Sequence, residues 1–151
     1  MAALLALLIA STSSGMLNCD VLDLVAPVPE VDYETEIQPI FDNNFCAGCH
    51  PTAGGLSLQQ GASFDDLVCQ PTETPYPPEG SLRVIPGNPG ESWLFLRVNC
   101  DAPDTSGFRM PVGSALTSSE QGLIRDWIAQ GAKPFAGLVF RGGFEDGETC
   151  R

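Results

Sequence analysis

Apolar residues recur at helical spacing in several stretches of this 151-residue chain, and the clearest stretch lies near the C-terminus. Its apolar positions predict a helix with one buried face, formed by Leu123, Ile124, Trp127 and Ile128. Thr117 and Glu120 have the spacing of a capping box, which predicts the start of this helix. Gly131 predicts its end, because glycine readily adopts the left-handed conformation that follows a helix.

Further stretches predict shorter helices. Residues 33–45 carry apolar side chains at offsets of three, four and eight, and Pro39 is tolerated there if the helix begins near Glu36. That helix would run directly into the next segment, CAGCH. Ser63 predicts the N-cap of one short helix, and residues 88–99 predict another.

Proline and glycine are frequent between these stretches, and no stretch alternates long enough to predict a sheet. The pattern therefore predicts an all-α, helical and loop-rich domain over residues 33–133. Residues 19–32 carry prolines and acids and are predicted to be a linker or extended lead-in. Residues 134–151 form a glycine-rich C-terminal tail.

Residues 1–18 resemble an export signal, with a short apolar run followed by small and polar residues. The run is too short for a membrane span, and it lacks the usual positive charges at its start. The six cysteines of the chain are also more typical of exported proteins. We therefore expect the protein in the periplasm or on the outer surface of a bacterium. Cys19 could then carry the lipid of a membrane-anchored lipoprotein, or the signal could simply be cleaved.

The formal net charge of -12 bears on the choice of partner. Nucleic acid is excluded, because its phosphate backbone requires a basic protein face. An acidic surface instead steers the chain toward protein partners with basic docking patches, besides keeping it soluble.

The segment CAGCH holds the residues with the most specific chemistry, Cys46, Cys49 and His50. Two thiols at this spacing can add to the two vinyl groups of one haem and hold it by thioether bonds. The imidazole of the next residue then reaches the iron as its proximal ligand. His50 is the one histidine of the chain, which makes its position directly after the cysteine pair more telling. The motif predicts one covalently attached haem c.

Two other interpretations of the same residues stay open. A structural zinc site needs four ligands, and the remaining cysteines form no second close pair that would complete it. A thioredoxin-like dithiol expects alternating strands and helices around it, which this sequence does not predict. Both interpretations therefore explain less of the sequence than haem attachment does.

A haem iron held by His50 leaves a sixth position on the opposite face. Met1 and Met16 lie in the export segment, so Met110, followed by Pro111, is the candidate axial ligand. A methionine opposite a histidine raises the reduction potential and leaves no position for substrate. This ligand pair predicts electron transfer and not catalysis. The other interpretation is that Met110 only fills a gap in the core.

Several runs of this sequence together resemble a known family. They are IQPIFDNNFCAGCH, GGLSL, VIPGNPGESWLFLRV, RMPVG and LTSSEQGLIRDWIAQGA. The chain resembles, over about residues 33–132, the small single-haem c-type cytochrome domains of exported bacterial proteins, especially the planctomycete and myxobacterial subgroup. The resemblance implies a class I cytochrome c fold, in which the first and last helices cross and pack beside the haem. Cys46 and Cys49 would attach the haem, with His50 and Met110 as iron ligands. Phe45, directly before the first cysteine, departs from the family pattern.

The remaining four cysteines suggest disulfides. Cys69 and Cys100 each follow a predicted helix and border a proline-rich loop, so we expect them to be bonded to each other. Cys19 would pair with Cys150, or it would be lipidated or lost with the signal, which leaves Cys150 free. Among the arginines, Arg109 is the best candidate to hydrogen-bond a haem propionate, the alternative being a simple surface charge.

The sequence thus predicts a carrier of single electrons in the cell envelope. One rival function is a haem-bearing subunit of a larger respiratory complex or an extracellular cytochrome filament. Another is a haem enzyme or ligand sensor, which requires that Met110 does not bind the iron.

Overall fold

The computed structural model describes residues 18–73, 79–101, 108–135 and 150. Within these ranges the regular secondary structure is helical, and extended pairing is limited to isolated bridges. The all-α prediction is confirmed at this level. The predicted export signal lies outside the described residues except for Asn18, and so does most of the predicted C-terminal tail.

The N-terminal helical segment consists of three consecutive pieces. A π-helical turn over Tyr33–Ile37 leads into α1, Gln38–Asn43, and a separate short helix, α2, covers Cys46–Cys49. Asp32 caps the first turn, since its side chain accepts a hydrogen bond from the backbone of Thr35 at 3.0 Å. The prediction of a single helix running into CAGCH is wrong, because the helix is interrupted between α1 and α2.

The middle of the chain contains α3, Ser63–Leu67, and α4, Trp93–Asn99, which a 3-10 turn over Pro89–Glu91 precedes. Ser63 is the first residue of α3 and not its N-cap, which is Ala62. The Ser63 hydroxyl instead lies in the core, where it accepts a hydrogen bond from Tyr33 Oη at 2.6 Å. The Ser63 side chain, predicted to cap the helix, is therefore hydrogen-bonded to the buried Tyr33 instead.

The last helix, α5, spans Ser118–Ala129 and is capped as predicted. The Thr117 side chain accepts from the Glu120 backbone at 3.2 Å, and Glu120 Oε2 accepts from the Thr117 backbone at 2.8 Å. Gly131 follows the helix with φ of 96°, a conformation that suits glycine.

The hydrophobic core lies between α5 and the N-terminal helical segment. Tyr33 and Trp127 are both 1% exposed, and their ring centroids are 5.1 Å apart. Phe64 packs against Tyr33 at 5.1 Å with nearly perpendicular rings, a favourable aromatic arrangement. At the other end of the two elements, Asn44 Nδ2 donates to Glu120 Oε1 at 2.8 Å. These contacts show that the N-terminal helical segment packs antiparallel to α5.

Residues 18–32, which we call the lead-in, run along α5 with a turn closed by the hydrogen bond from Val25 to the carbonyl of Leu22. The backbone N–H of Val28 donates to Asp126 Oδ2 at 2.8 Å. Gln130 accepts from the backbone of Val31 at 2.8 Å and donates to the carbonyl of Val28 at 2.6 Å. Leu22 and Val31 are buried. The segment predicted as a linker or lead-in is therefore packed against the domain by both hydrogen bonds and apolar side chains.

The two disulfides correct the predicted pairing. They join Cys19 to Cys100 and Cys69 to Cys150, each across a sequence separation of 81. The predicted Cys69–Cys100 bond is wrong, and so is the Cys19–Cys150 alternative. The first bond fastens the lead-in to the end of α4, and the second fastens the C-terminus to the end of α3. Among the described helices, none is long and apolar enough to cross a membrane.

Candidate functional site

The CAGCH segment forms one tight helical turn. Phe45 precedes it in the left-handed conformation, with φ of 57° and ψ of 16°. The carbonyl of Phe45 then accepts hydrogen bonds from Gly48 at 3.1 Å and Cys49 at 3.2 Å, and His50 donates to the carbonyl of Cys46 at 2.8 Å. The reversal at Phe45 ends α1 and starts α2, so that the three predicted site residues of this motif share a single turn.

The His50 ring is oriented by a backbone acceptor. Its Nδ1 lies 2.8 Å from the carbonyl oxygen of Ala53. Because a carbonyl can only accept, Nδ1 is the donor in this bond, which leaves Nε2 as the nitrogen with a lone pair in the neutral ring. A histidine oriented by an outer hydrogen bond of this kind is a common arrangement among metal ligands.

The loop that supplies this acceptor is held by a buried arginine. Arg83, only 7% exposed, donates to the carbonyls of Gly55 at 2.8 Å and Asp66 at 2.7 Å. Gly55 has φ of 65°, a left-handed conformation in which a residue with a Cβ is strained. Since Arg83 fixes the loop after His50, it indirectly fixes the Ala53 carbonyl.

The two thiols of the turn are free, whereas the other four cysteines form disulfides. Cys46 is half-buried against the hydrophobic core, and burial raises the pKa of its thiol to about 11. Cys49 is exposed. A redox dithiol needs a lowered pKa at its attacking cysteine, so the environment of Cys46 argues against the thioredoxin-like interpretation.

Met110 lies on the same core as Cys46. Its side chain is half-buried against the hydrophobic cluster, and its backbone N–H donates to the carbonyl of Arg97 at 2.7 Å. The bond between Met110 and Pro111 is cis. Met110 is thus attached to the last turn of α4, while the CAGCH turn is attached to α1.

Arg109 is engaged by protein groups. Its guanidinium forms a two-pronged ion pair with Asp20, at 3.2 Å for Nη1–Oδ1 and closer for Nη2–Oδ2, and lies 3.8 Å from Asp101. Its Nε donates to the carbonyl of Val98 at 3.1 Å. The hydrogen bonds from Arg109 and then Gln121 lower the pKa of Asp20. These partners favour an internal role for Arg109 over the predicted contact with a haem propionate.

Some residues of the site were not found from the sequence. Ala53 acts through its backbone, so its side chain gives no signal. Asn44 contributes a bond to Glu120, 76 positions away, and Asp20 one to Arg109, 89 positions away. Contacts over such separations depend on the tertiary fold, and a single sequence carries no local pattern for them.

The residues of the turn fit covalent haem attachment. The site offers two free thiols in one helical turn and an imidazole whose Nδ1 is hydrogen-bonded to a carbonyl, so that Nε2 is the nitrogen left for a metal. Within the described ranges, no three His, Cys, Asp or Glu side chains form a group that could hold a metal ion. A haem iron takes four ligands from its porphyrin, so that result concerns other kinds of metal site.

Comparison with known proteins adds no relative. No protein-family model, no curated protein and no solved structure matches the chain.

Proposed function

We propose that this protein is a monohaem c-type cytochrome that carries single electrons between redox partners in a bacterial cell envelope. The observation that supports this proposal best is the His50 imidazole, held by the Ala53 carbonyl directly after two free thiols. A haem, when bound, supplies a one-electron iron couple. The proposal is that the chain binds it, orients its ligands and sets its potential.

Each site residue has a separate role in this proposal. Cys46 and Cys49 form thioether bonds to the haem, which keep it attached to a small domain. His50 binds the iron through Nε2, and the Ala53 carbonyl prevents the ring from rotating. Met110 would be the second protein ligand of the iron and would raise its reduction potential. With His50 and Met110 both bound, the iron would have no position for substrate, so the proposed protein is an electron carrier and not an enzyme.

The class I cytochrome c fold implied by the resemblance is part of the proposal. It is supported by the packing of the N-terminal helical segment along α5, through Tyr33 and Trp127 at one end and Asn44 and Glu120 at the other. Half-buried apolar side chains complete this core, among them Leu56, Phe95 and Met110. An apolar shell of this kind lowers the local dielectric, which tunes the reduction potential of an iron centre.

The proposed location is the periplasm or the outer surface. Two disulfides support an oxidising compartment. The net charge of -12 supports redox partners with basic docking patches. A lipid thioether on Cys19 and the Cys19–Cys100 disulfide would use the same sulfur atom, so only one of them can form in a given molecule.

The central test is the intact mass of the protein produced in a bacterial host with haem-attachment machinery. We expect the chain plus one haem, resistant to denaturing extraction. A Cys46→Ala/Cys49→Ala variant should lose the haem, whereas the Cys69→Ser/Cys150→Ser control should keep it. A wild-type mass without haem would overturn the proposal. The same spectrum reports whether Cys19 carries lipid.

The axial ligand is tested by the optical spectrum of the oxidised protein. A weak far-red charge-transfer band marks a methionine–iron bond, and we expect Met110→Ala to abolish it while the haem stays attached. The matched control is Leu123→Ala, which also truncates a half-buried side chain on this core. It should lower stability by about 2 kcal/mol and keep the band. A wild type that lacks the band and binds carbon monoxide would favour the haem enzyme or sensor.

A further inference from the structure

The segment that carries Met110 is held from two sides. On one side it is bonded to two carbonyls near the end of α4. The Met110 backbone N–H donates to the carbonyl of Arg97 at 2.7 Å, and Arg109 Nε donates to the carbonyl of Val98 at 3.1 Å. On the other side, the Arg109 guanidinium pairs with Asp20 of the lead-in. Arg109 is therefore bonded to both α4 and the lead-in, directly before the proposed iron ligand.

Asp20 is itself firmly positioned. Its backbone N–H donates to the carbonyl of Asn99 at 2.9 Å, and its carbonyl accepts from Asn99 Nδ2 at 3.1 Å. The neighbouring Cys19 is bonded to Cys100. The reciprocal bonds and the disulfide fix this part of the lead-in to the end of α4.

The carboxylate of Asp20 also joins a buried polar network. Gln121 of α5 donates to Asp20 Oδ2 at 2.8 Å through Nε2. Gln121 is 1% exposed, and its Oε1 accepts from Asn99 Nδ2 at 2.9 Å. Arg109 thus faces a carboxylate whose position is set by α4 and α5 together. A guanidinium paired in two places with such a carboxylate has little freedom to rotate.

The geometry points to Asp20 and Arg109 as positioning residues for the distal iron ligand. Their ion pair holds residues 109–110 against α4 and so keeps the Met110 thioether on the haem face. This inference rests on the proposed function, since it assigns a role within the proposed haem site. It also makes the lead-in, predicted from sequence as a linker or extended lead-in, a part of that site.

The expected size of the effect follows from exposure. The Arg109 side chain is 17% exposed and that of Asp20 is 42%, so solvent screens the pair in part. Removing one charge should shift the equilibrium between bound and detached Met110 by about fivefold. The chain should still fold, because the Asn99 and Cys100 contacts of the lead-in do not depend on Arg109.

Competition with imidazole measures this equilibrium directly. Imidazole binds ferric haem only where the methionine has left, so its apparent affinity rises when detachment becomes easier. The oxidised holoprotein would be titrated with imidazole while the far-red band is followed. We expect Arg109→Gln and Asp20→Asn each to bind imidazole about fivefold more tightly than wild type. Arg109→Lys keeps the charge but loses the two-pronged hydrogen bonding of the guanidinium, so its imidazole affinity should be intermediate.

The double variant and a control separate positioning from general stability. If the two residues act as one pair, Asp20→Asn/Arg109→Gln should bind imidazole no more tightly than either single variant. Arg125→Gln removes another guanidinium that contacts the lead-in, through the Leu22 carbonyl at 3.3 Å, but lies away from Met110. It should leave the imidazole affinity unchanged.

Each result has a distinct meaning. Unchanged imidazole affinity in Arg109→Gln, in a holoprotein with the far-red band, overturns the inference and leaves the proposed function standing. The same gain in Arg125→Gln also overturns it, because the effect would then be one of general stability. Wild type with haem but without the band removes Met110 as the ligand and the inference with it. Wild type without haem overturns both.

Discussion

Phe45 combines backbone strain with exposure. Its φ of 57° places a bulky residue in the left-handed region, and its side chain is 81% exposed. A non-glycine residue in this conformation costs about 1–2 kcal/mol, and so exposed a ring recovers little of that cost by burial. The conformation is nevertheless needed, because the Phe45 carbonyl starts the CAGCH turn by accepting from Gly48 and Cys49.

The strain at Phe45 gives a prediction. Phe45→Asn should stabilise the protein by about 1 kcal/mol, because asparagine tolerates the left-handed conformation better. The measurement is the free energy of unfolding in urea. Phe108→Asn is the matched control: Phe108 is 74% exposed but has no positive φ, so its replacement should change stability by less than about 0.5 kcal/mol. Destabilisation by Phe45→Asn would show that the ring makes a contact that matters.

The sequence indicated the candidate side chains of the site but not the groups that hold them in place. Cys46, Cys49 and His50 were proposed from spacing alone, because the chemistry requires them close in the chain. In the structure they share one turn, and their binding of haem stays a prediction. The Ala53 carbonyl and the Arg83 side chain that fixes its loop were not predicted. Backbone acceptors have no residue signature, and Arg83 reaches its partners only after the chain has folded.

At the scale of elements, the start of α5 connects capping to tertiary structure. Glu120 closes the capping box with Thr117, and its other oxygen accepts from Asn44, the residue before Phe45. Partial burial raises the pKa of Glu120, but the hydrogen bonds from Asn44 and Thr117 outweigh it and lower the pKa overall. The same carboxylate therefore stabilises α5 and fixes the end of α1.

The lowered pKa predicts how stability depends on pH. A carboxyl with a depressed folded pKa contributes stability above its unfolded pKa, and that contribution is lost as pH falls through the folded value. Glu120→Gln should therefore cost about 1 kcal/mol at about pH 6 and less at about pH 3. Urea unfolding at both pH values is the measurement. Glu34→Gln removes one exposed carboxylate from the N-terminal helical segment and should keep the wild-type pH dependence. An equal loss from Glu120→Gln at both pH values would contradict the assignment.

Helix prediction succeeded where signals were local. The capping box, apolar stripe and Gly131 together gave α5, Ser118–Ala129. The first helix was predicted less well, because its apolar stripe continues to Phe45, whereas α1 ends at Asn43 and the backbone reverses at Phe45. Ser63 was misassigned because its hydroxyl is used by Tyr33. In each failure, a tertiary requirement overrode a local preference.

At the scale of the whole molecule, the largest errors concern long-range connections. Four cysteines can pair in three ways, and their positions along the chain do not decide between them. The prolines and acids of residues 19–32 predict a linker or extended lead-in, but they carry no signal for its packing along α5 or its bond to the end of α4. Its role depends on Asp20 and Cys19, whose partners lie 79 or more positions away.

The acidic charge of the whole molecule predicts how the redox rates of the proposed cytochrome respond to salt. A chain of charge -12 attracts cations, so tris(1,10-phenanthroline)cobalt(III) should oxidise the reduced protein faster at low salt than at high salt, whereas ferricyanide should oxidise it more slowly. Raising the salt from about 10 mM to about 0.5 M should bring the two rate constants toward their unscreened ratio. Stopped-flow mixing measures both. A cation rate that does not fall with salt would contradict electrostatic steering by the acidic surface.

The two disulfides form a matched pair for a final prediction. Both span 81 positions, so each should contribute about 4.5 kcal/mol in the chain-entropy model, and removing either should lower the free energy of unfolding by a similar amount. Their effects on the haem site should differ, because Cys19 precedes Asp20 whereas Cys150 packs near Val84. Imidazole titration should show tighter binding in Cys19→Ser/Cys100→Ser than in Cys69→Ser/Cys150→Ser. Equal imidazole affinities in the two variants would mean that the lead-in disulfide contributes to stability without helping to hold Met110.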